Sequence, residues 1–168
     1  MGVAESLNWD FTSFGNFLRR EAANRGIIHP TRTMLQEIGT EFISLGWISF
    51  CNGVLNAAQW KMGRGLVIDG VRHIDCVATF REIIKPMDFF LVFVDIAPSV
   101  RLERLKQRGL TNKEIIEQED HETEQHLKEL RLRSDLIVNG TLPIDVNIQN
   151  IEYFFGTTFH NPHNHNLS

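Results

Sequence analysis

The sequence predicts an α/β fold built on a largely parallel sheet. Short aliphatic or aromatic runs alternate along the 168 residues with segments of helical length and apolar periodicity. The two strand-like runs in the middle of the chain are apolar at consecutive positions, as in parallel strands that are covered on both faces. Glycine or proline punctuates most of these segments. Apolar residues make up 42% of the chain, which is enough for the core of one domain of this length.

The N-terminal part is predicted to contain one strand and three helices. Trp9–Phe14 is a short run of aromatic and β-branched residues, typical of a strand. Gly15–Arg25 follows as a helix that ends at a glycine. Thr31 is suited to cap the next helix, whose apolar residues recur at helical spacing up to Leu45. A further helix is predicted over Ile48–Lys61.

The middle of the chain holds the two strongest strand patterns. Gly65–Gly70 is predicted to be a buried parallel strand that ends in a turn, which places Asp69 at the carboxyl edge of the sheet. A helix is expected over His73–Ile84, ended by Pro86. Phe89–Asp95 is apolar at consecutive positions and is predicted to be a central strand.

The C-terminal part begins with a helix from Pro98 to Arg108. Thr111–Arg133 is charged and predicted to be helical, Asp135–Asn139 is a short strand, and Ile144–Phe155 a last helix. We therefore expect one nucleotide-kinase-like α/β domain over residues 1–156, with a lid region at about 109–133. Residues 157–168 are rich in Asn and His and are expected to form a flexible tail.

Charge and composition argue against several classes of partner. Lys and Arg number 17 against 21 Asp and Glu, a net charge of −4, which gives no support for nucleic-acid binding. The longest apolar run, Phe89–Ala97, is too short to span a bilayer, and the N-terminus does not have the pattern of a signal peptide. Cys51 and Cys76 lack Cys-x-x-Cys spacing and indicate reduced packing residues, so a cytoplasmic location is expected.

Ligands of open α/β sheets bind beyond the carboxyl ends of the strands, so these positions are the candidate site. Three of the four segments there carry arginine, whose planar guanidinium binds phosphate or carboxylate in a bidentate way. The four segments are Ser13–Arg20, Asp69–His73, Asp95–Arg108 and Asn139–Gly140.

Several of these segments resemble adenylate-kinase-like nucleotide kinases. Ser13-Phe-Gly-Asn-Phe-Leu-Arg19 is similar to their Gly-Asp-x-x-Arg segment, and Val67-Ile-Asp-Gly-Val-Arg72 to the acceptor-side Asp-Gly followed by Arg. Phe93–Pro98 with the arginines after it resembles the strand and helix that lead into the lid, and Asp135–Gly140 the late strand near the nucleotide base. Together with Leu18–Ala22, Arg25-Gly26 and Pro30-Thr31, they resemble dephospho-CoA-kinase-like and adenylate-kinase-like P-loop kinases over roughly Val3 to Ile151.

The resemblance implies a P-loop kinase-like three-layer sandwich that transfers the γ-phosphoryl group of ATP, with Mg²⁺, to a small phosphorylated or hydroxyl acceptor. It leaves a nucleoside monophosphate, a deoxynucleotide and dephospho-CoA open as the acceptor. It implies acceptor-binding, catalytic and base-side positions. These are Gly15, Asn16, Arg19 and Arg72 for the acceptor, Asp69, Arg104 and Arg108 for catalysis, and Asn139 for the cofactor.

The sequence also departs from this family. No Gly-x-x-x-x-Gly-Lys-Ser/Thr segment occurs in it, so we expect a chain that lacks the first strand and phosphate loop and begins with the end of the following helix. Asn16 stands where the family often has Asp, and Glu119-Asp120 where Arg-Asp is expected. The expectation is an inactive kinase-type chain that either keeps the family's ATP and Mg²⁺ or binds neither of them, and that self-associates through unpaired strand edges. The alternative is a non-catalytic remnant that serves as an anion-binding or interaction module.

Each site residue also has a purely structural interpretation. Asp69 could cap the turn or helix that follows it, and Arg20 is interpreted as a solvated neighbour of Arg19. Arg104 and Arg108 share a helix face with Arg101, which a solvated basic stripe explains equally well. The remaining aromatic and histidine residues are interpreted as packing or tail residues, with no metal site among them. These are Trp9, Trp47, Trp60, His121, His126, His160, His163 and His165.

Overall fold

The structure is a computed structural model that describes residues 2–109, 111 and 121–159. The described residues form two compact units, Asn8–Phe89 (the first unit) and Met1–Leu7 together with Phe90–Ser168 (the second unit). Each unit contains two parallel strands and several helices, so the α/β class predicted from the sequence is confirmed. No helix in the described ranges is long and apolar enough to cross a bilayer.

The first unit consists of two strands and four helices. The strands are β1 (Asp10–Ser13) and β2 (Leu66–Asp69), and the helices are α2 (Phe14–Asn24), α3 (Arg32–Ser44), α4 (Trp47–Ala57) and α5 (Ile74–Ile83). The second unit begins with the short helix α1 (Val3–Leu7). Its other elements are β3 (Val92–Asp95), α6 (Pro98–Gln107), α7 (His121–Leu132), β4 (Leu136–Asn139) and α8 (Ile144–Phe159).

Aromatic packing against the β1–β2 pair makes the core of the first unit. The ring centroids of Phe14 and Phe50 lie 5.0 Å apart and those of Phe17 and Phe42 4.9 Å apart, both edge-to-face. Trp47 stacks on Phe50 and belongs to the same cluster, which confirms its packing role. The buried members are Phe14, Phe17, Phe50, Cys51, Val54, Leu55, Cys76, Phe80 and Ile84.

The second unit is held together by α8. The ring of Phe90 meets those of Phe154 and Phe155 edge-on, at 5.7 and 5.4 Å between centroids. On the same helix, Glu152 accepts a hydrogen bond from the Ser6 hydroxyl of α1. α8 continues past its predicted end at Phe155 to Phe159. The other histidine-rich tail residues, 160–168, lie outside the described part of the chain.

Two predictions about the strands are wrong. Among the described residues β3 pairs with β4 alone, so the strand predicted over Phe89–Asp95 is not central, and it begins only at Val92. The N–H of Leu91 is instead bonded at 2.6 Å to the Asp135 carboxylate. β2 pairs with β1 alone among the described residues, and its residues are half-buried or exposed rather than buried, because the faces to which its side chains point are only partly covered.

Helix boundaries follow the capping residues. Thr31 accepts a hydrogen bond from the Met34 N–H and caps α3, as predicted. α4 ends at Ala57 rather than at Lys61, because Gln59 takes a left-handed conformation, with φ of 52°. The N–H of Trp60 then bonds the carbonyl of Leu55, which closes a Schellman motif at the helix end.

Candidate functional site

The carboxyl ends of β1 and β2 lie side by side. The two strands run parallel in a register that pairs Ser13 with Asp69. α2 begins directly after β1, so its first turn is at the same edge of the ladder. Ser13 is buried and its hydroxyl accepts a hydrogen bond from the Asn16 N–H at 3.0 Å. The pairing of β1 with β2 therefore brings both predicted acceptor segments to one edge of the ladder.

Arg19 folds back along α2 towards this edge. Its Nη1 donates a 3.1 Å hydrogen bond to the Asn16 side-chain oxygen. A Cβ built on Gly15 would lie 3.4 Å from the same Nη1 and 3.8 Å from the Ser13 hydroxyl oxygen. The guanidinium therefore lies beside Gly15, at the van der Waals distance of a Cβ built there. Gly15, Asn16 and Arg19, which the sequence analysis named from the single segment Ser13–Arg19, form one cluster around the start of α2.

The segment after β2 supplies Asp69 and Arg72. Gly70 has φ of 84°, a left-handed conformation that turns the chain out of the strand and that L side chains rarely adopt. The side chains of Asp69 and Arg72 are both exposed and make no hydrogen bond or ion pair within the described residues. His73, not Asp69, is the N-cap residue of α5, so the structure does not support the capping interpretation of Asp69.

The chemistry of this edge suits an anion with a hydrated cation beside it. Two arginines without a carboxylate partner in the described part of the chain, Arg19 and Arg72, offer several N–H donors that are already exposed. Asp69 is a single carboxylate, and the described residues contain no group of three potential metal ligands. That donor set fits Mg²⁺ held through water and substrate phosphate, and does not fit a site made of protein ligands alone.

The remaining predicted site residues belong to the second unit. Arg104 is exposed on α6, a helix without buried residues, and Arg108 is its exposed C-cap residue. The solvated-stripe interpretation of these arginines therefore stands beside the catalytic one. Asn139 at the end of β4 accepts a 2.9 Å hydrogen bond from the Thr141 N–H through its side-chain oxygen. That oxygen shapes the turn after β4. Glu119 and Asp120 lie outside the described residues.

The residues of this sequence do not fit the phosphates of ATP. The sequence contains no glycine-rich segment whose amides and lysine would hold them. Asn139 is the residue expected to bind the cofactor, but its side-chain oxygen already accepts a hydrogen bond from the Thr141 N–H in the turn after β4. We therefore derive no chemical step through ATP.

Three features escaped the sequence analysis. Arg20 is not merely a solvated neighbour of Arg19, because its Nη1 donates a 3.0 Å hydrogen bond to the Ala57 carbonyl at the end of α4. Asp95, at the end of β3, forms an ion pair with Arg131 of α7 at 3.0 Å. α4 also carries polar residues at positions i, i+3 and i+7 beside a cavity. The helical spacing of these polar residues can be read from the sequence, and it indicates that they share one face of α4.

Cys51 and Cys76 are buried core residues, as predicted, and they contact each other between α4 and α5. The hydrogen bond to Cys51 and burial in the core both raise the pKa of the Cys76 thiol well above its ordinary value of 9.0. Cys76 is therefore a neutral packing residue rather than a nucleophile.

Comparison with known proteins finds relatives of unassigned activity. No family model matches the chain. A UPF0200 protein of Thermococcus onnurineus is 31% identical over 104 residues, which cover 58% of this chain and 54% of that protein. UPF0200 proteins of Thermococcus kodakarensis and Thermococcus gammatolerans are 31% and 30% identical over 112 residues, or 62% of this chain and 58% and 56% of theirs. The chain thus spans between 54% and 58% of the length of these relatives, and their names state no activity.

Proposed function

We propose that the first unit binds the phosphate group of a small phosphorylated acceptor, as the acceptor side of a nucleotide-kinase-like protein. The observation that carries this proposal is the pairing of Ser13 with Asp69, which brings the Arg19 cluster and the Asp69–Arg72 segment to one edge. Neither arginine has a carboxylate partner among the described residues, so both are available to an anion.

The first turn of α2 adds to the attraction of this site for a phosphate group. The 11-residue helix has unpaired amides at its N-terminus, of which the Ser13 hydroxyl occupies only the Asn16 N–H. A phosphate there meets backbone donors and guanidinium donors together, and charge-assisted hydrogen bonds are about twice as strong as neutral ones. Gly15 adds no side chain to this first turn, so its backbone is open to an anion.

The Asp69 carboxylate has a negative charge, opposite to the charge of the two arginines, so its presence at a phosphate site needs a separate explanation. A carboxylate beside a bound phosphate repels it unless a cation lies between them. Mg²⁺ with several waters would bridge the two, a mode of binding in which one carboxylate suffices. In the proposed site Asp69 therefore orients the acceptor through a hydrated cation. Phosphate affinity should then rise when Mg²⁺ is added and the rise should disappear in Asp69→Asn.

A non-catalytic anion-binding or interaction module is the second candidate function. The absence of a phosphate-loop segment from these 168 residues favours it. The two candidates share the acceptor site and differ in what they require beyond it. Phosphoryl transfer needs donor phosphates that are held in line with the acceptor, whereas a binding module needs only the anion site.

Calorimetric titration of the full chain tests the shared site. We expect weak binding of inorganic phosphate and adenosine monophosphate, reduced about tenfold or more in Arg72→Ala and in Arg19→Ala, because each variant loses a charge-assisted contact of ~1.5–3 kcal/mol. Arg133→Ala is the matched control, since Arg133 is exposed and pairs only with Glu129 at i,i+4 among the described residues. Wild-type affinity in both site variants would refute the assignment.

A further inference from the structure

A cavity of about 520 Å³ opens between α2, α3 and α4 in the first unit. Its lining includes none of the proposed phosphate-site residues. The rings of Phe17 and Phe42 make its apolar wall. A Cβ on Gly53 would lie 2.8 Å from Cζ of Phe17, so the glycine allows α4 to approach this ring closely. The volume falls within the usual range for small-molecule sites, roughly 300–1,000 Å³.

One side of the cavity is a row of uncharged polar side chains on α4. Ser49, Asn52 and Asn56 stand at i, i+3 and i+7 and therefore share one helix face. Asn52 is half-buried, and within the described part of the chain none of the three side chains has a hydrogen-bond partner. A half-buried amide can offer two donors and one acceptor oxygen to a ligand.

The other side carries two opposite charges on α2. Arg20 is held by its 3.0 Å hydrogen bond to the Ala57 carbonyl, which leaves further N–H donors of its guanidinium available. Glu21 accepts from the Asn24 side chain through Oε1 at 3.2 Å, and its Oε2 has no partner among the described residues. The two charges cancel, so the cavity favours a neutral ligand over a phosphate.

We propose that this cavity binds the vicinal diol of a neutral hydroxylated ring. Each hydroxyl of a diol can both donate and accept a hydrogen bond. This matches a site that combines a guanidinium, which only donates, a carboxylate, which only accepts, and side-chain amides, which do both. Arg20, Glu21 and Asn52 supply these three types. The apolar face of the ring lies against Phe17 and Phe42. A free monosaccharide and the ribose of a nucleoside carry the same diol.

Ligand-observed NMR and calorimetry on the full chain test this with four probes: adenosine, 2′-deoxyadenosine, D-ribose and D-glucose. If adenosine binds and 2′-deoxyadenosine binds with about tenfold lower affinity, the diol belongs to the ribose of a nucleoside, because the deoxy compound lacks one diol hydroxyl. Binding of ribose or glucose without adenosine supports the monosaccharide source. Equal binding of the two nucleosides, or no binding of any probe at about 10 mM, overturns the proposal.

Variants locate the site. Asn52→Leu and Asn56→Leu should each weaken binding of the best probe about tenfold, and the exposed Asn56 keeps the test open if Asn52→Leu fails to fold. Asn150→Leu, an exposed amide on α8, is the control and should bind as wild type does. Arg72→Ala should also leave probe binding unchanged, which separates this proposal from the phosphate site. Wild-type affinity in both cavity variants would overturn the assignment.

Discussion

At the scale of single residues, Gly53 shows how tightly the helices of the first unit pack. Its missing side chain leaves room for the ring of Phe17, which is 4% exposed and would have to shift to admit a Cβ at 2.8 Å. We expect Gly53→Ala to lower the free energy of unfolding by ~1–3 kcal/mol through overpacking. Thermal and urea melts measure the change.

Gly156 is the matched control for that substitution. It lies in α8, and a Cβ built on it meets nothing within 4 Å. Gly156→Ala should therefore stabilise the chain by up to about 1 kcal/mol, because alanine has the higher helix propensity. If both variants shift the melting temperature in the same direction, the close approach of Phe17 is not what determines the stability change in Gly53→Ala.

Cys76 makes stability dependent on pH at the alkaline end. Because the pKa of this thiol is raised in the folded chain, the protonated form is favoured there. Its contribution is complete below the ordinary thiol value of 9.0 and is lost as pH rises above it, where the unfolded chain releases its proton. The contact with Cys76 lowers the pKa of Cys51, which has the opposite effect on stability, so the test is made in the Cys51→Ala background, where burial keeps the pKa of Cys76 raised. We expect Cys51→Ala to lose more stability than the double variant Cys51→Ala/Cys76→Ala between about pH 8 and 10 in paired urea melts. Equal losses would contradict this account.

At the scale of the element, the start of α2 joins stability to the proposed function. The Ser13 hydroxyl caps this helix, and the Thr31 hydroxyl caps α3 in the same way. Ser13→Ala and Thr31→Ala should each reduce the free energy of unfolding by about 1 kcal/mol. Only Ser13→Ala should also weaken phosphate binding, because its helix carries Gly15 and Arg19. Calorimetry showing equal phosphate affinity in the two variants would contradict that link.

The strands point to association between copies of the chain. Within the described residues β2 and β3 each pair with one strand, which leaves one edge of each without a ladder partner. Val94 of β3 is 58% exposed. We expect concentration-dependent association in light scattering, reduced by Val94→Lys because a lysine on an edge strand opposes pairing. Tyr153→Lys, on the exposed face of α8, is the control and should associate as wild type does.

At the scale of the whole molecule, we expect these 168 residues to show no measurable ATP-dependent phosphoryl transfer. No phosphate-loop segment is present to position the donor phosphates, and each ~1.36 kcal/mol of lost transition-state stabilisation costs about tenfold in rate. A coupled assay with mononucleotides and dephospho-CoA as acceptors measures this, with an active adenylate kinase as the positive control. Turnover above background would contradict the expectation and favour the kinase function over the binding module.

Sequence patterns determined most of the elements of this protein. The strand at Leu66–Asp69, the Thr31 cap and the helix that opens at Pro98 follow from signals a few residues long. Such signals act within the chain segment that carries them, through capping bonds, fixed dihedral angles and apolar spacing. For the same reason the acceptor motifs around Arg19 and Arg72 could be named in advance, since each stands directly after a predicted strand.

Only the tertiary structure decided which segments meet. The pairing of Ser13 with Asp69, the bond from Arg20 to Ala57 and the cavity between Phe17 of α2 and Asn52 of α4 all join residues far apart in sequence. The same holds for the strands, because β3 shows the apolar run of a central strand yet pairs only with β4 in the described part of the chain. The spacing of apolar residues indicates which face of a strand or helix becomes buried. It does not indicate which other element buries that face, because this depends on packing between segments far apart in the sequence.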